Sequence, residues 1–353
     1  MWYWWAASSI AIIVYFWTYH FRAQKIFAKF FIVSCAILFS SFLFAIYPVQ
    51  PLALFQVALV FLLSLAIILS IKKSNKNRLV YGIFFIGFCA LYAQWGIAQF
   101  VIQHDLGLVK IGESVINQNT PGVASFYIAS EKHIRAYGPF GHANSFAGVL
   151  LLGIIVLYRL RENLQSKLFT QSIFFLLSLG IATSFSRTAL LGLGFIGALY
   201  AFKRKAAILA PVVITCVLFS GLLFHRSTDI RDMAAHDRLM GLSWYADMID
   251  NKTIVRGIGL GNYTTVLANY LLNNNIKHNP WDIAPIHSVP LLLLAELGII
   301  ICVALCILVI RPGFTKKYWI YIALMPTLVF DHYAATQLAP AIFLIISTKL
   351  VVY

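Results

Sequence analysis

The chain has 353 residues, of which 61% are hydrophobic and only 11% are charged. Soluble domains are close to half apolar and about one quarter charged, so this composition excludes an ordinary soluble protein and favours a polytopic membrane protein. A formal net charge of +15 would suggest a nucleic-acid partner for a soluble protein, whereas in a membrane protein it can be an orientation signal. The positions of the charges decide between these readings.

Apolar runs along the chain predict about eleven spans, since a helix needs about 20 residues to cross a bilayer. The first run lacks a basic flank and opens with aromatic residues, so we predict a membrane anchor and not a cleaved signal peptide. The runs are approximately 1–19, 28–47, 52–71, 79–103, 144–160, 168–185, 188–202, 206–224, 288–310, 318–331 and 338–353.

The stretch from 168 to 202 is too long for one spanning helix. At about 1.5 Å per residue it would exceed about 50 Å, whereas the hydrocarbon core is about 30 Å thick. Lys167 precedes this stretch and Lys203 follows it, which places both ends on the same side of the membrane. We therefore predict a helical hairpin with Ser186 and Arg187 at its tip.

The loop charges predict the orientation of the chain. One set of loops carries seventeen basic residues and a single acid, Glu162, and the positive-inside rule makes this set cytoplasmic. The opposite loops balance basic and acidic residues, and they include both long loops, 104–143 and 225–287. The N-terminus is then outside and the C-terminus inside. The net charge is a topology signal, no nucleic-acid partner is predicted, and we expect any chemistry on the extracytoplasmic face.

The predicted fold is an all-α polytopic membrane protein, a single domain over 1–353 with a partly helical extracytoplasmic cap. No internal repeat of the kind found in inverted-repeat transporters is visible. The cysteines all lie in apolar runs without a CxxC pair, and no HExxH or DxD motif occurs. We predict no metal and no cofactor. A pyrophosphate on the outer face would have to be held by arginines, whose fork suits bidentate phosphate contacts.

Two candidate clusters lie around the middle of the chain. Arg135 precedes a turn containing Gly138 and Gly141, in a segment where His142 leads into a helix that Asn144 or Ser145 can cap. A reentry turn with an interfacial arginine is the alternative. Ser186 and Arg187 form the second cluster. A charge at that depth is costly unless it is paired or hydrated, so it indicates either a functional role or snorkelling to the headgroups.

Two further clusters lie in the C-terminal half. Residues 230–250 predict an outer helix on which Arg231 and Arg238 share one face, followed by the turn Gly257-Ile-Gly259-Leu-Gly261-Asn262. That turn follows a helix and not a strand, so as a nucleotide site it is weak. His287 then precedes Ser288, a suitable N-cap, and Pro290, which suits a first turn. An imidazole at this position can serve as a general base, although an interfacial histidine without a catalytic role is the alternative.

Four motifs from these clusters and a fifth, Phe330-Asp331-His332-Tyr333, occur in an order that resembles the O-antigen ligase and O-antigen polymerase superfamily of bacterial membrane glycosyltransferases. The resemblance covers about residues 130 to 335. It rests on Arg135-x-x-Gly-x-x-Gly-His142-x-Asn144, Ser186-Arg187, Gly257-x-Gly-x-Gly-Asn262, His287 with Ala295-Glu296-Leu-Gly298, and Phe330-Asp331-His332-Tyr333.

The resemblance implies a metal-independent, inverting enzyme that moves a glycan from an undecaprenyl-pyrophosphate carrier to an acceptor hydroxyl. By that likeness His287 is the base or acceptor-positioning residue, and Arg187 acts with Arg135 or Arg238 on the pyrophosphate. The substrate-binding set that we predict is Arg135, His142, Asn144, Ser186, Arg238, Asp331 and His332, with His287 and Arg187 as catalytic residues.

Several acceptors and two other classes of function remain open. Among the acceptors, a lipid A-core or similar glycolipid is the first hypothesis. Polymerisation of repeat units is the second, and glycosylation of a protein hydroxyl is the third. A transporter or flippase for the same lipid-linked saccharide predicts polar residues along the spans, yet Glu296 is the one acid deep in an apolar run. A non-catalytic factor that binds the carrier lipid is a third possibility. The predicted location is the bacterial inner membrane, with the site facing the periplasm.

Overall fold

A computed structural model describes most of the chain from residue 75 onward and a short piece before it. The predicted spans 1–19, 52–71 and 206–224 lie outside the described residues, as do parts of 28–47, 318–331 and 338–353 and the side chains of Arg231 and His332. The described residues are 45–47, 50–51, 75–128, 131–164, 166–202, 233–279, 282–310, 323–331, 336–337, 340, 343–344, 346–347 and 350.

The described part of the chain is mostly helical and contains one small β-hairpin. The helices are α1 (Asn75–Ile102), α2 (Ala143–Leu160), α3 (Lys167–Thr183), α4 (Arg187–Phe202), α5 (Met233–Met248), α6 (Asn251–Arg256), α7 (Tyr263–Asn273), α8 (Val289–Ile310) and α9 (Met325–Phe330). The strands are β1 (Ser125–Ile128) and β2 (Glu131–Ile134), and short 3-10 turns occupy Val109–Ile111 and Arg161–Asn163.

Helix α2 is the central element of the main core. Nearly all of its residues are buried, and α1, α3 and α4 pack around it. Its apolar sequence is hydrophobic on every face, which is the pattern of a helix enclosed by other helices. Small residues allow the close approach: a Cβ added at Gly153 would meet the Cys89 side chain of α1 at 2.9 Å. This packing sets the positions of the helix ends that carry the candidate residues.

Two helices have the length and composition of membrane spans among the described residues. They are Leu79–Ile102 and the helical stretch Ala143–Asn163. Shorter apolar helices are Lys167–Thr183, Arg187–Ala198 and Val289–Val303. The membrane character predicted from composition is therefore supported in its coarse form, while the number of spans and their direction stay predictions.

The predicted break in the stretch 168–202 is confirmed, while the placement of both of its ends on one side of the membrane stays a prediction. Helix α3 ends at Thr183 and α4 begins at Arg187, so the tip lies where the sequence analysis placed it. Phe185 has a positive φ of 50° at this tip and is completely buried. Its ring stacks on that of Phe126 in β1, with the centroids 3.9 Å apart. The unfavourable backbone conformation is thus held in place by an aromatic contact with the outer loop.

The β-hairpin departs from the all-α prediction within the loop 104–143, whose outward placement stays a prediction. Strands β1 and β2 pair in antiparallel register, with Phe126 opposite His133. The segment after β2 continues onto the tip of the α3–α4 hairpin, because Ala136 N–H donates to the Thr183 carbonyl at 3.0 Å. β-Branched and aromatic residues at alternating positions favour such a pair even where the surrounding chain is helical.

A buried carboxylate organises the start of the same loop. Glu113 accepts hydrogen bonds from the side chains of Trp95 and Gln99 on α1 and from the backbone amides of Leu106 and Leu108, all between 2.7 and 2.9 Å. Burial alone would raise the pKa of Glu113, but these four donors outweigh it and hold the pKa below its ordinary value. Glu113 therefore ties the outer loop to the end of α1 in its ionised form.

A second core forms where α5, α6 and α7 pack beside α8. It is built from Ile249, Ile258, Tyr263, Leu267, Leu271, Ile286, Leu292 and Ala295. The helix predicted over 230–250 is confirmed over Met233–Met248. Because α8 belongs to this core and its start follows His287, the outer helix and the histidine segment are parts of one packed unit.

Helix α8 is not continuous, in contrast to the single span predicted over 288–310. Gly298 has φ 78° and ψ 164°, which interrupts the helix. In an unbroken helix the carbonyls of Ala295 and Glu296 would accept from residues 299 and 300. Here they accept from the amides of Ile258 and Gly259, at 2.9 and 3.0 Å. The glycine turn thus supplies the donors that the interrupted helix lacks.

The glycines of this turn are explained by backbone contact. A Cβ at Gly298 would lie 2.5 Å from the Val255 carbonyl oxygen, and a Cβ at Gly257 would collide with the backbone of Glu296 and Leu297. Both glycines also have positive φ values that disfavour side chains. The Gly257-x-Gly-x-Gly motif therefore lets its backbone contact the interrupted helix α8. This contact accounts for the glycines of the motif without a bound nucleotide.

Candidate functional site

The carboxylate of Asp331 joins four separate segments of the chain. Asp331 follows the last residue of α9, and its side chain is only 5% exposed. Its Oδ1 atom accepts a hydrogen bond from Asn144 at 2.9 Å and lies 3.6 Å from Arg238 and 3.7 Å from His287. Its Oδ2 atom accepts from the Thr188 hydroxyl at 3.2 Å. A buried carboxylate requires such partners, since an unpaired charge would be costly.

Thr188 and Ser186 connect the α3–α4 hairpin to this carboxylate. The Thr188 hydroxyl has one proton, which it donates to Asp331, so the Ser186 hydroxyl is the donor in the 3.2 Å contact between Ser186 and Thr188. Ser186 immediately precedes α4, and its carbonyl accepts from Leu190 N–H of that helix at 3.0 Å. Both side chains are buried. The tip of the hairpin thus reaches the candidate site through two hydroxyl groups.

Arg135 is buried, with 4% of its surface exposed. It contacts Asn144, which in turn contacts Asp331. Its Nε–H donates to the Ser184 carbonyl at 2.5 Å, and its Nη2 donates to Oδ1 of Asn144. Asn144 therefore accepts from Arg135 with its oxygen and donates to Asp331 with its nitrogen. In this arrangement Arg135 holds Asn144 in the orientation that Asp331 needs, while its predicted contact with substrate stays a prediction.

The cap of α2 differs from the one predicted. His142 is the N-cap residue, and its Nδ1 atom accepts from Asn144 N–H at 3.1 Å. Asn144 or Ser145 was expected to cap this helix from the residue types alone. Asn144 lies in the first turn of α2, and its side chain bonds to Arg135 and Asp331. The imidazole of His142 therefore caps the helix instead. His142 thereby positions Asn144 through the backbone.

Arg238 and His287 form the accessible side of the network. Their side chains are 32% and 29% exposed, against 5% for Asp331. Arg238 lies on α5, and His287 lies two residues before α8. The predicted N-cap at Ser288 is supported, because its carbonyl accepts from Leu292 N–H at 2.9 Å and its side chain is 3.5 Å from Leu291 N. The helix start thus fixes the point from which His287 extends.

A cleft of about 100 Å³ opens beside these two residues. Its wall includes Trp244 and Tyr263, and Asp282 adds a second carboxylate. Tyr263 is 1% exposed, and its backbone amide lies 3.4 Å from the carboxylate of Glu296. Glu296 therefore supports the start of α7 and is not one of the Asp331 contacts described here.

Arg187 begins α4, immediately before Thr188, and it is exposed. Its place at the hairpin tip agrees with the sequence prediction. His332 follows Asp331 directly but lies outside the described residues. Seven predicted residues are thus linked through contacts with Asp331 or its partners: Arg135, His142, Asn144, Ser186, Arg238, His287 and Asp331 itself.

The arrangement can hold an imidazole in a defined orientation. The Nδ1 atom of His287 faces Asp331 at 3.7 Å, slightly beyond a hydrogen bond. A carboxylate at Nδ1 favours the proton there and leaves the lone pair on Nε2. An imidazole in that form can take a proton from a hydroxyl group. In the described part of the chain, no cluster of three histidine, cysteine, aspartate or glutamate side chains is arranged to hold a metal ion.

Thr188 and Trp244 were missed as candidate residues. Thr188 follows Ser186 and Arg187 directly, so the polar run Ser-Arg-Thr at the start of a span was the available signal. Trp244 lies six residues after Arg238 in the predicted outer helix. Nothing in its spacing indicates that it faces a cleft, because that cleft is closed by residues 282–287 from another part of the chain.

Comparisons of the chain with protein-family models, with curated proteins and with solved structures found no match. The resemblance to the O-antigen ligase and polymerase superfamily therefore rests on the motifs described above.

Proposed function

We propose that this chain is an inner-membrane glycosyltransferase that moves a glycan from an undecaprenyl-pyrophosphate carrier to an acceptor hydroxyl on the periplasmic face. The observation that carries the proposal is the convergence on Asp331. Residues from four separated motifs, Asn144, Thr188, Arg238 and His287, meet at one buried carboxylate. Motifs that served only as helix ends would have no reason to meet.

The proposed reaction uses His287 as the base. Nε2 takes the proton from the acceptor hydroxyl while its oxygen attacks the anomeric carbon of the donor sugar. The bond from that carbon to the pyrophosphate oxygen breaks, and undecaprenyl pyrophosphate leaves. Attack from the face opposite the leaving group inverts the anomeric carbon. Asp331 stabilises the imidazolium that forms, as a buried carboxylate does for a histidine base.

The leaving group requires positive charge near the reaction centre. Arg187 is exposed at the start of α4, directly before Thr188, which donates a hydrogen bond to Asp331. Arg238 is partly exposed beside His287. Arg187 suits the pyrophosphate better than the buried Arg135 does, and better than Arg238, whose charge Asp331 partly balances at 3.6 Å. Guanidinium groups bind phosphate oxygens in a bidentate manner and stabilise the charge that develops on them, without a metal ion.

The test is reconstitution of transfer with purified full-length protein. The protein is mixed with undecaprenyl-pyrophosphate oligosaccharide and, separately, with lipid A-core, a peptide rich in serine and threonine, or no further acceptor. Mass spectrometry of the products decides the acceptor. A single transfer to lipid or peptide identifies a ligase, and a ladder of longer saccharides on the carrier identifies a polymerase. Movement of the carrier across vesicles without any new glycosidic bond contradicts the proposal and favours a flippase.

A further inference from the structure

The cleft beside His287 has a lining that is both aromatic and polar. Trp244 is half-buried and packs against the second core, so its indole ring is held by neighbouring apolar side chains. Arg238, Asp282 and His287 supply polar groups at the same cleft. Its volume of about 100 Å³ is smaller than the roughly 300–1,000 Å³ of a drug-sized ligand site. The space is therefore too small to hold more than one sugar unit.

The charges around the cleft disfavour a phosphate. Asp282 lines it, and its position is fixed because its carboxylate accepts from Asn279 N–H at 2.7 Å. Asp331 lies 3.6 Å from Arg238 and partly neutralises it. Two carboxylates thus oppose one guanidinium, and a pyrophosphate placed in the cleft would meet a carboxylate without a compensating cation. A neutral ligand rich in hydroxyl groups meets no such penalty.

A sugar ring matches this lining chemically. One face of a pyranose presents C–H groups with partial positive charge, which suit the negative face of an aromatic ring. Its hydroxyl groups donate to carboxylates and accept from guanidinium groups. Trp244 offers the aromatic ring, Asp282 the acceptor and Arg238 the donor. His287 at the same cleft is then close to a ring hydroxyl.

We propose that this cleft is the subsite for the acceptor sugar and that Trp244 is its stacking residue. The assignment to the acceptor rests on the proposed function, because it follows from His287 taking a proton from the acceptor hydroxyl. Sugar binding itself depends only on the cleft. Trp244 acts on acceptor affinity and takes no part in the proton transfer.

Binding is measured first without a donor, by saturation-transfer NMR on the purified full-length protein. The probes are methyl glycosides of a hexose, a deoxyhexose and an N-acetylhexosamine, with inorganic pyrophosphate as the anionic competitor. We expect saturation transfer to at least one glycoside, loss of the signal in Trp244→Ala, its retention in Trp244→Phe, and no displacement by pyrophosphate. Equal signals in the wild type and Trp244→Ala, or displacement by pyrophosphate, would overturn the subsite.

Kinetics then separate the subsite from the proposed function. At saturating donor, we expect Trp244→Ala to raise the KM for the acceptor by about three- to tenfold, the value of one aromatic contact, and to leave the KM for the donor unchanged. Leu239→Ala is the matched control, because Leu239 lies on the same helix and is 66% exposed. Transfer with an unchanged acceptor KM in Trp244→Ala contradicts the subsite and leaves the function standing. Glycoside binding that depends on Trp244 in a protein without transfer activity supports the subsite and contradicts the function.

Discussion

The Nδ1 atom of His287 lies 3.7 Å from Oδ1 of Asp331, and that carboxylate is buried while the imidazole is partly exposed. A shift of about 1 Å would bring the pair to hydrogen-bond distance. Asn144 already bonds to this same oxygen and Thr188 bonds to Oδ2, so the histidine has to adapt to a carboxylate that is already fixed. The pair thus combines a rigid buried anion with an accessible base.

The roles proposed for His287 and Arg187 predict loss of transfer without loss of fold. We expect His287→Ala and Arg187→Ala to abolish glycan transfer in the reconstituted assay while both proteins insert and purify as the wild type does. Both side chains are at least partly exposed, so their removal leaves the buried packing intact. Leu239→Ala serves as the control for expression and insertion. Full activity in either purified variant would contradict the proposed role of that residue.

The contacts of Asp331 predict that two substitutions at this position affect activity and stability differently. Asp331→Asn keeps an oxygen acceptor but removes the charge facing His287 and Arg238, and we expect transfer to fall by about 100-fold, the lower end for a disturbed general base. Asp331→Ala also leaves the buried Asn144 and Thr188 donors unpaired, which costs about 1–3 kcal/mol for each group. Thermal unfolding should therefore separate Asp331→Ala from Asp331→Asn. Equal stability of the two variants would show that these hydrogen bonds contribute little.

The break in α8 predicts a strong effect at Gly298. Gly298→Ala places a Cβ 2.5 Å from the Val255 carbonyl oxygen at a positive φ. We expect a loss of about 2–4 kcal/mol in stability, since the clash and the backbone strain add. Gly194→Ala is the matched control, because Gly194 lies in α4 with nothing within 4 Å of an added Cβ. A similar unfolding temperature for the two variants would show that the backbones of the glycine turn and of α8 are not closely packed.

Glu113 predicts acid sensitivity of the outer loop. Its folded-state pKa is lowered below the ordinary 4.5 because the hydrogen bonds outweigh burial. A lowered pKa contributes stability that is present above pH 4.5 and is lost as the pH falls through the folded value. We expect the difference in unfolding temperature between the wild type and Glu113→Gln to be largest at pH 7 and to shrink below pH 4.5. The control is Glu131→Gln, whose side chain is 84% exposed. A difference in unfolding temperature that does not change with pH would contradict the role of an ionised Glu113 in holding the loop.

The predicted orientation is tested at two exposed glutamates on either side of α2. Glu131 lies before the helix and Glu162 after it, with exposed fractions of 84% and 70%. The stretch between the helix ends is about 30 Å long at about 1.5 Å per residue, enough to cross the hydrocarbon core. In a background without the native cysteines, a membrane-impermeant maleimide added to spheroplasts should label Glu131→Cys and leave Glu162→Cys unlabelled. The reverse pattern would invert the topology.

The sequence alone determined the helical, membrane-type character of the chain and most of its candidate residues. Those inferences depend on local properties: the length of apolar runs, the basic residues at their ends and the polar groups at predicted helix starts. The break at Ser186 and Arg187, the helix within 230–250 and the helix start at Ser288 followed from such signals and agree with the described structure.

The tertiary structure decided which of those polar groups meet. Asn144 suited a helix cap by its residue type, yet its side chain bonds to Asp331, 187 residues away, and His142 caps the helix instead. Gly257 and Gly298 looked like a loop signature and a mid-helix glycine until their backbones were found in contact. Thr188 became a candidate only through its bond to Asp331. Contacts between distant segments depend on how the helices pack, and neither spacing nor composition records that packing.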